Sequence, residues 1–552
     1  MKAFSTLYRT LDGSKRTNQK IAALVAYFRD CPPADAAWAI HFLSGRRIKL
    51  GVRRADIKAW AAQEADIPQW LFDESYNAVG DLAETINLIV PSGKETLGHG
   101  LTWWIEERLM PLVGATPDQQ RCLLVESWKQ LDPSGRFLWN KLLTGAFRVG
   151  VSRGLITRAV SEALSAPMAR VEERLMGPWV PGPGLLAQLG DAASAADPAS
   201  PRPFFLASPL QDKITDLGPC HEWQAEWKWD GIRCQAVRRG RRAYLWSRGE
   251  ELVTEQFPEI ARQVERLCHD CIIDGEIVAR RDGSILPFHE LQKRLGRSVV
   301  PKRILREIPV ALIAYDLLEQ DGTDFRDLPL SQRRGHLEEL VRPVAGDQIM
   351  ISPIVEGDWS ELEFQRSQAA QNFAEGLMLK RKTSPYRSGR VRGDWWKWKV
   401  DPYVIDAVLV QSRRGSGRRA GVFTDHTFAV WKNGVLVPVA SAYSGLTDAE
   451  MKELNAIIKN SGLEQFGPVR TVKPEHVFEL AFEGVSRSAR HRSGVALRFP
   501  RISRWRRDKV AAEADHFPAL EAMITNTPVI KREITGELFP DWPGCGTDPT
   551  NQ

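Results

Sequence analysis

Residues 181–184 read Pro-Gly-Pro-Gly, and an Ala/Ser/Asp/Pro run then continues to Pro203. Proline lacks a backbone donor and glycine carries the largest conformational entropy, so neither suits the interior of a helix or strand. Residues 179–205 therefore have linker composition, and the chain has to build separate cores on either side of them. A length of 552 residues leaves room for about three to four domains of ordinary size.

The two sides of the linker carry different hydrophobic periods. Up to residue 178, the segments IAALVAYFRD, LTWWIEERLM and LLVESWKQL repeat apolar residues at helical spacing, and strand-like alternation is scarce. Within LLTGAFRVGVSRGLITRAVSEAL, the residues Gly145, Arg148, Gly150, Ser152 and Arg153 separate two apolar helical runs. This is either a tight helix–helix turn or a backbone contact to a nucleic-acid phosphate, with Ser152 placed to cap the second helix.

Residues 206–400 alternate the two periods. AEWKWDGIRCQAV, RAYLWS, CIIDGEIVAR and PVALIAYDLL are predicted strands, and FPEIARQVERL and LSQRRGHLEELV predicted helices. From residue 401 to about 540, short strands dominate: VIDAVLVQS, HTFAVW, VLVPVA and HVFELAF. Asn433-Gly434 signals a hairpin there, and Thr447-x-x-Glu450 is a capping box opening one helix. About five strands and one helix suit a small Greek-key barrel of the OB type. The expected chain is thus multidomain: an all-α N-terminal domain with its linker at 1–205, an α+β domain at 206–400, and a β-barrel at 401–552 with a loose tail after Phe539.

Hydrophobic residues make up 43% of the chain and charged residues 26%, as in a globular protein. The excess of 75 Lys and Arg over 69 Asp and Glu is small. Its distribution says more: basic clusters fall at Arg46-Arg47, Arg238–Arg242, Arg413–Arg419 and Arg501–Lys509, interleaved with 19 Trp. One such cluster is ordinarily a solvated face, but four among tryptophans favour a polyanionic partner. The seven cysteines are scattered and odd in number, which reads as a reducing compartment. Cys268 and Cys271 form a lone C-x-x-C; a four-ligand zinc site would need a second pair, so two free thiols are expected. The N-terminus lacks a signal-peptide core and no run of about 18 apolar residues exists, so a cytoplasmic protein without a membrane partner is expected.

The chemistry concentrates in the middle region. In Glu226-Trp227-Lys228-Trp229-Asp230-Gly231, strand alternation puts Glu226, Lys228 and Asp230 on one face and both tryptophans on the other. A lysine on an inner face must pair or react. It is either a salt bridge to Glu226 or Asp230, or a nucleophilic amine activated by neighbouring cations. Such cations stand in Trp395-Trp396-Lys397-Trp398-Lys399, which repeats the pattern. Asp274-Gly275-Glu276 and Glu375-Gly376-Leu377-Met378-Leu379-Lys380 supply carboxylates suited to Mg²⁺ beside phosphates. Ser247-Arg248-Gly249-Glu250 places an arginine in a tight loop, and Tyr315 closes an apolar run where it can stack on a base or belong to the core. Lys380 lies five residues from Glu375, which in a regular strand means opposite faces, so it ranks as a weaker site residue.

The order Lys-x-Asp-Gly, Ser-Arg, Asp-Gly-Glu, aromatic-Asp, Glu-Gly-Leu-Met-Leu-Lys and Trp-Lys-x-Lys resembles the motif set of the covalent nucleotidyltransferases. Arg498-Phe499-Pro500-Arg501 with Arg506-Arg507-Asp508-Lys509 resembles its last motif. Within that superfamily the chain resembles the ATP-dependent DNA ligases over nearly its whole length, the N-terminal region being similar to their DNA-binding domain at LLTGAFRVGVS.

The resemblance implies that Lys228 attacks the α-phosphate of ATP, that AMP moves to the 5′-phosphate of a nick, and that the 3′-hydroxyl expels it. It implies adenine contacts for Glu226 and Tyr315, and ribose and phosphate contacts for Arg233, Arg248 and Glu276. Lys397 and Lys399 would neutralise phosphates, with Glu276 and Glu375 near Mg²⁺. Arg390 or Arg392 would join them; spacing to Trp395 does not choose. Arg501, Arg506, Asp508 and Lys509 would close over ATP in the first step. The stacking aromatic is often Phe in the family and is Tyr315 here. The partner implied is nicked duplex DNA, encircled by a monomer. The helical N-terminal region argues against an RNA ligase or capping enzyme. The missing four-cysteine module argues against an NAD-dependent ligase, and the intact lysine and carboxylates argue against a catalytically dead clamp.

Overall fold

The computed structural model describes residues 1–91, 98–145, 147, 149–192, 197–297, 299–415, 419–489 and 491–526. Arg148, Cys545 and the tail after Phe539 lie outside the described residues. The chain forms two compact units, one of Met1–Val171, Val180–Ala192 and Pro402–Asn526, the other of Glu172–Trp179 with Ala193–Asp401.

In the first unit the N-terminal region is helical throughout, as its periodicity predicts. Helices run from Lys2–Gly13 to Leu185–Gly190. Their ends obey capping chemistry: Thr116 and Gln119 form a capping box, and Asp132 accepts from Gly135 N. Trp104, Trp128 and Trp139 fill the core almost without exposure. The expected cap at Ser152 is present, since its hydroxyl accepts from Leu155 N. Gly145 ends the Pro133–Thr144 helix with φ +64°, a left-handed cap that glycine tolerates.

The C-terminal part of this unit is strand-rich, with more strands than the five or so expected. Tyr403–Arg414 pairs with Phe423–Lys432, Val469–Val472 and Val477–Phe482 within a seven-stranded sheet. Asn433 and Gly434 both adopt positive φ, the signature of the predicted two-residue hairpin. Thr447 and Glu450 make the predicted capping box ahead of the Asp448–Ser461 helix.

The second unit is α+β and contains two sheets. One has the order Ser208–Pro209, Trp395–Lys399, Ala374–Arg381, Trp223–Trp229; the other is built around Ile232–Arg239, Cys271–Arg281 and Val310–Gln320. The expected single strand AEWKWDGIRCQAV is in fact two, broken after Trp229, with its halves in different sheets. The chain crosses over at Gly231, where a β-carbon would strike the Ile277 carbonyl oxygen. Asp230 therefore lies beyond the strand and does not share its face.

The predicted helix Leu330–Val341 is pinned from inside. Arg333, fully buried, forks onto Asp316 at 2.8 and 2.9 Å and donates to the Ser384 carbonyl at 3.0 Å. Arg333→Met would leave Asp316 charged and unpaired in the core, and is expected to cost about 3–5 kcal/mol of unfolding free energy in denaturant titrations. A change below 1 kcal/mol would contradict this account of the pair. Cys268 and Cys271 are free thiols, as expected. No helix among the described residues is long and apolar enough to cross a membrane.

Candidate active site

Register decides which side chains meet. Met378 lies opposite Glu226 on one side and opposite Lys397 on the other, and Gly376 lies opposite Lys399. Alternation then gathers Glu226, Lys228, Lys380, Lys397 and Lys399 on one face. Trp227, Trp229, Trp396 and Trp398 take the other, packed with Val278, Ala311 and Ile313. The tryptophans anchor the sheet and the lysines face away from that core, as the paired sequence patterns predict.

Parity fails at one point. Glu375 would fall on the tryptophan face of a regular strand, but the pairing slips between Ala374 and Leu377, where Gly376 has φ +137°. The irregularity turns the Glu375 carboxylate to the lysines. It accepts directly from Lys228 Nζ, and from Lys399 Nζ at 3.2 Å. Burial would raise the Glu375 carboxyl, yet Lys228 and Lys399 outweigh it and hold it below the ordinary range. The same slip corrects the rank of Lys380, which shares the site face: its buried ammonium donates to Glu226 Oε1 at 2.8 Å.

A β-carbon on Gly376 would strike the Trp398 carbonyl oxygen, and its φ is unfavourable for other residues. Gly376→Ala is therefore expected to displace Glu375 from Lys228 and to cost about 1 kcal/mol or more of unfolding free energy. Denaturant titration measures it, and a wild-type value would refute the role given to the slip.

Behind this face, Asp274 organises the second sheet. Arg233 forks onto it at 3.2 and 2.6 Å, and the hydroxyls of Tyr386 and Tyr315 donate to it at 2.6 and 3.2 Å. Arg233 also donates to the Phe205 carbonyl at 2.6 Å and lies 5.2 Å from the Phe204 ring centre. The end of the linker stretch is thus part of the site's support. Arg248 N donates to the Arg233 carbonyl at 3.1 Å, which ties its loop to the same strand.

The two candidate arginines occupy different surroundings. Arg392 is exposed, bonds Asp212 at 2.8 Å and sits over Trp396, on the tryptophan side. Arg390 acts on the lysine side. Burial lowers the Lys397 ammonium, and the charges of Arg390, Lys399, Lys228 and Arg248 lower it further. These five groups form a cationic cluster around Lys397.

Glu276 stands among them. Burial pushes its carboxyl up to about 8; Asp274 and Glu375 add to this, while Lys228 and Arg233 oppose it. A half-buried carboxyl whose charged form is disfavoured mainly by burial would gain from a bound cation. Among the described residues no group of three or more His, Cys, Asp and Glu could hold a metal. Glu276 and Glu375 are carboxylates of the kind that can hold Mg²⁺, which commonly takes one or two carboxylates, water and phosphate oxygens.

The last expected motif lies in the first unit. Arg506 and Lys509 both bind Asp406, at 2.7 and 2.6 Å, and Arg506 also binds Asp508 at 2.7 Å. Arg501 opens the Arg501–Trp505 strand. In the helical region, Arg46, Arg47 and Lys141 line a cavity with Gly145, and Lys20 Nζ donates to the Val149 and Gly150 carbonyls at 2.6 and 2.9 Å. The Asp-Gly-Glu pattern marks Asp274 as a candidate carboxylate but not as the partner of Arg233 and two tyrosines; Gln224, Tyr386 and the linker phenylalanines carry no local pattern.

A lysine held by a carboxylate on one sheet face, ringed by Lys and Arg beside a second sheet, defines a nucleotidyltransferase domain. Family models extend this to the rest of the chain: the ATP dependent DNA ligase domain matches residues 205–399, the DNA ligase N terminus 1–197, and the ATP dependent DNA ligase C terminal region 419–509. The chain belongs to the ATP-dependent DNA ligase family, enzymes that form phosphodiester bonds. It is 30% identical to a probable DNA ligase of Koribacter versatilis, over 91% of this chain and 92% of that one. It is 34% identical to a probable DNA ligase of Opitutus terrae, over 93% of this chain but only 61% of that longer protein. A solved structure described as Pmar-Lig_PreS3 shares the fold, at 15% identity, a TM-score of 0.61 and coverage of 91% and 99%.

Proposed function

We propose that the protein seals nicks bearing a 3′-hydroxyl and a 5′-phosphate in duplex DNA, through a lysine–AMP intermediate and a DNA-adenylate. The observation that carries this reading is the Lys228–Glu375 pair, set amid Lys397, Lys399, Arg390 and Arg248. A carboxylate that accepts from the amine orients Nζ, whose proton passes to solvent before the attack. The bond from Nζ to the α-phosphorus forms as the α–β anhydride breaks, and the lysine–arginine edge offsets the charge of the departing pyrophosphate. Glu226 and Tyr315 hold adenine, while Arg233, Arg248 and Glu276 meet ribose and phosphate. Glu276 and Glu375 would hold Mg²⁺, which supplies charge neutralisation at the phosphates.

Residues 1–205 bind DNA in this reading, with Arg46, Arg47 and the Gly145 turn toward phosphates. Residues 206–400 carry out adenylation. Residues 401–552 supply Arg501, Arg506, Asp508 and Lys509 to the ATP phosphates; Arg506 and Lys509 must exchange Asp406 for that contact. The protein acts as a monomer encircling nicked DNA in the cytoplasm. The test is incubation of the full chain with α-labelled ATP and Mg²⁺, then with a nicked duplex. Covalent label that is discharged on sealing supports the proposal. Label from GTP but not ATP favours a capping enzyme, and no label from any nucleotide favours a dead clamp.

A further inference from the structure

The Lys380–Glu226 pair is costly to build. Both side chains are 2% exposed, and burying two charges gives little net stability compared with apolar packing. Its geometry points to a use. Glu226 Oε1 accepts from Lys380 Nζ at 2.8 Å and from Gln224 Nε2 at 2.8 Å, so both bonds end on one oxygen and Oε2 is left for a ligand. The Lys380 ammonium also lies 4.1 Å from the Tyr315 ring centre and 4.7 Å from that of Trp395, which fixes it from two sides.

We infer that Lys380 is a positioning residue for base selection: it keeps Glu226 an ionised, acceptor-only carboxylate that admits a 6-amino purine and rejects a 6-oxo purine. The inference rests on the nucleotide-transfer reading above. An ionised carboxylate has only acceptor sites. It matches the 6-amino group of adenine, a donor, and opposes the 6-oxo group of guanine, another acceptor. A protonated carboxyl can donate, and would lose that distinction. Burial favours the protonated form of Glu226, and Lys380 with Arg334 reverses it.

The experiment compares initial rates of covalent labelling from ATP and from GTP, with Mg²⁺, in the full chain. Lys380→Met keeps the length of the side chain and removes the charge. It is expected to lower the ATP-to-GTP ratio of labelling efficiency by at least about tenfold, with the ATP loss in KM rather than kcat. This variant leaves Glu226 buried without its partner and can fail to fold. The double variant Glu226→Gln with Lys380→Met leaves no stranded charge, and its amide can turn either a donor or an acceptor to the base, so the same loss of selectivity is expected. A folded single or double variant with the wild-type ratio overturns the inference. Absence of label in the wild type would instead sink the nucleotide-transfer reading itself.

Discussion

Lys228→Ala is expected to abolish AMP attachment, by roughly 10⁴-fold or more, while the fold survives. No other amine can stand in. Lys397 and Lys399 stand two strands away, beyond Ala374–Arg381, and Lys399 is already bound to Glu375. That bond is also why stability is spared. Glu375 keeps Lys399 at 3.2 Å, so no buried carboxylate is stranded, and the Lys228 side chain is itself 22% exposed. The expected change in unfolding free energy is about 1 kcal/mol or less. Lys228→Arg should be equally inactive, because a guanidinium does not lose its proton at working pH. The measurement is gel detection of labelled protein beside a thermal melt. Supplying a pre-adenylated nick separates the steps: sealing of that substrate should persist in Lys228→Ala, because its AMP is already in place. Covalent label on Lys228→Ala would move the nucleophile elsewhere, and a collapsed melt would mean that Lys228 is structural.

Lys228, Lys397 and Lys399 were legible in the sequence because a strand of period two, backed by tryptophans, writes its faces into the chain. Asn433-Gly434 and Thr447-x-x-Glu450 were legible because turn and cap chemistry is local. Parity counted from Glu375 puts Lys380 on the wrong face for a physical reason. The register slip at Gly376 sits between them, and a strand's period holds only while its ladder is unbroken. The split of AEWKWDGIRCQAV has a similar cause, since Asp-Gly inside an alternating run can be a bulge or a crossing. Tyr386 and Phe205, and the role of Asp274 in joining them, are illegible because their meaning is convergence, as the 112-residue separation of Tyr386 from Asp274 illustrates. The boundary at Pro402 coincides with the change of pattern at 401, whereas nothing local marks Val180–Ala192, inside the linker composition, as part of the first unit.

Glu276→Gln should move activity and stability in opposite directions. In the folded protein the carboxyl is pushed from 4.5 up to about 8, mainly by burial. The folded state therefore holds this proton more tightly than the unfolded chain. The stability that results is fully present below about pH 4.5 and is lost as pH rises through 8. Glutamine cannot ionise, so the variant escapes that loss. Relative to wild type it should gain little at pH 5 and on the order of 2–4 kcal/mol at pH 9, in the absence of nucleotide and metal. Melts at the two pH values read the difference, and an equal or negative gain at pH 9 would refute the strained carboxyl. The same ionisation is what a divalent cation needs. At neutral pH the carboxyl must shed its proton to hold Mg²⁺, so the apparent Mg²⁺ affinity should rise with pH up to about 8 in wild type. In Glu276→Gln that pH dependence should vanish and AMP attachment should fall by roughly 10²-fold or more. The carboxyl is thus kept at a cost in stability because its charge is needed only when phosphates and cation arrive, an arrangement common to sites tuned for function over stability.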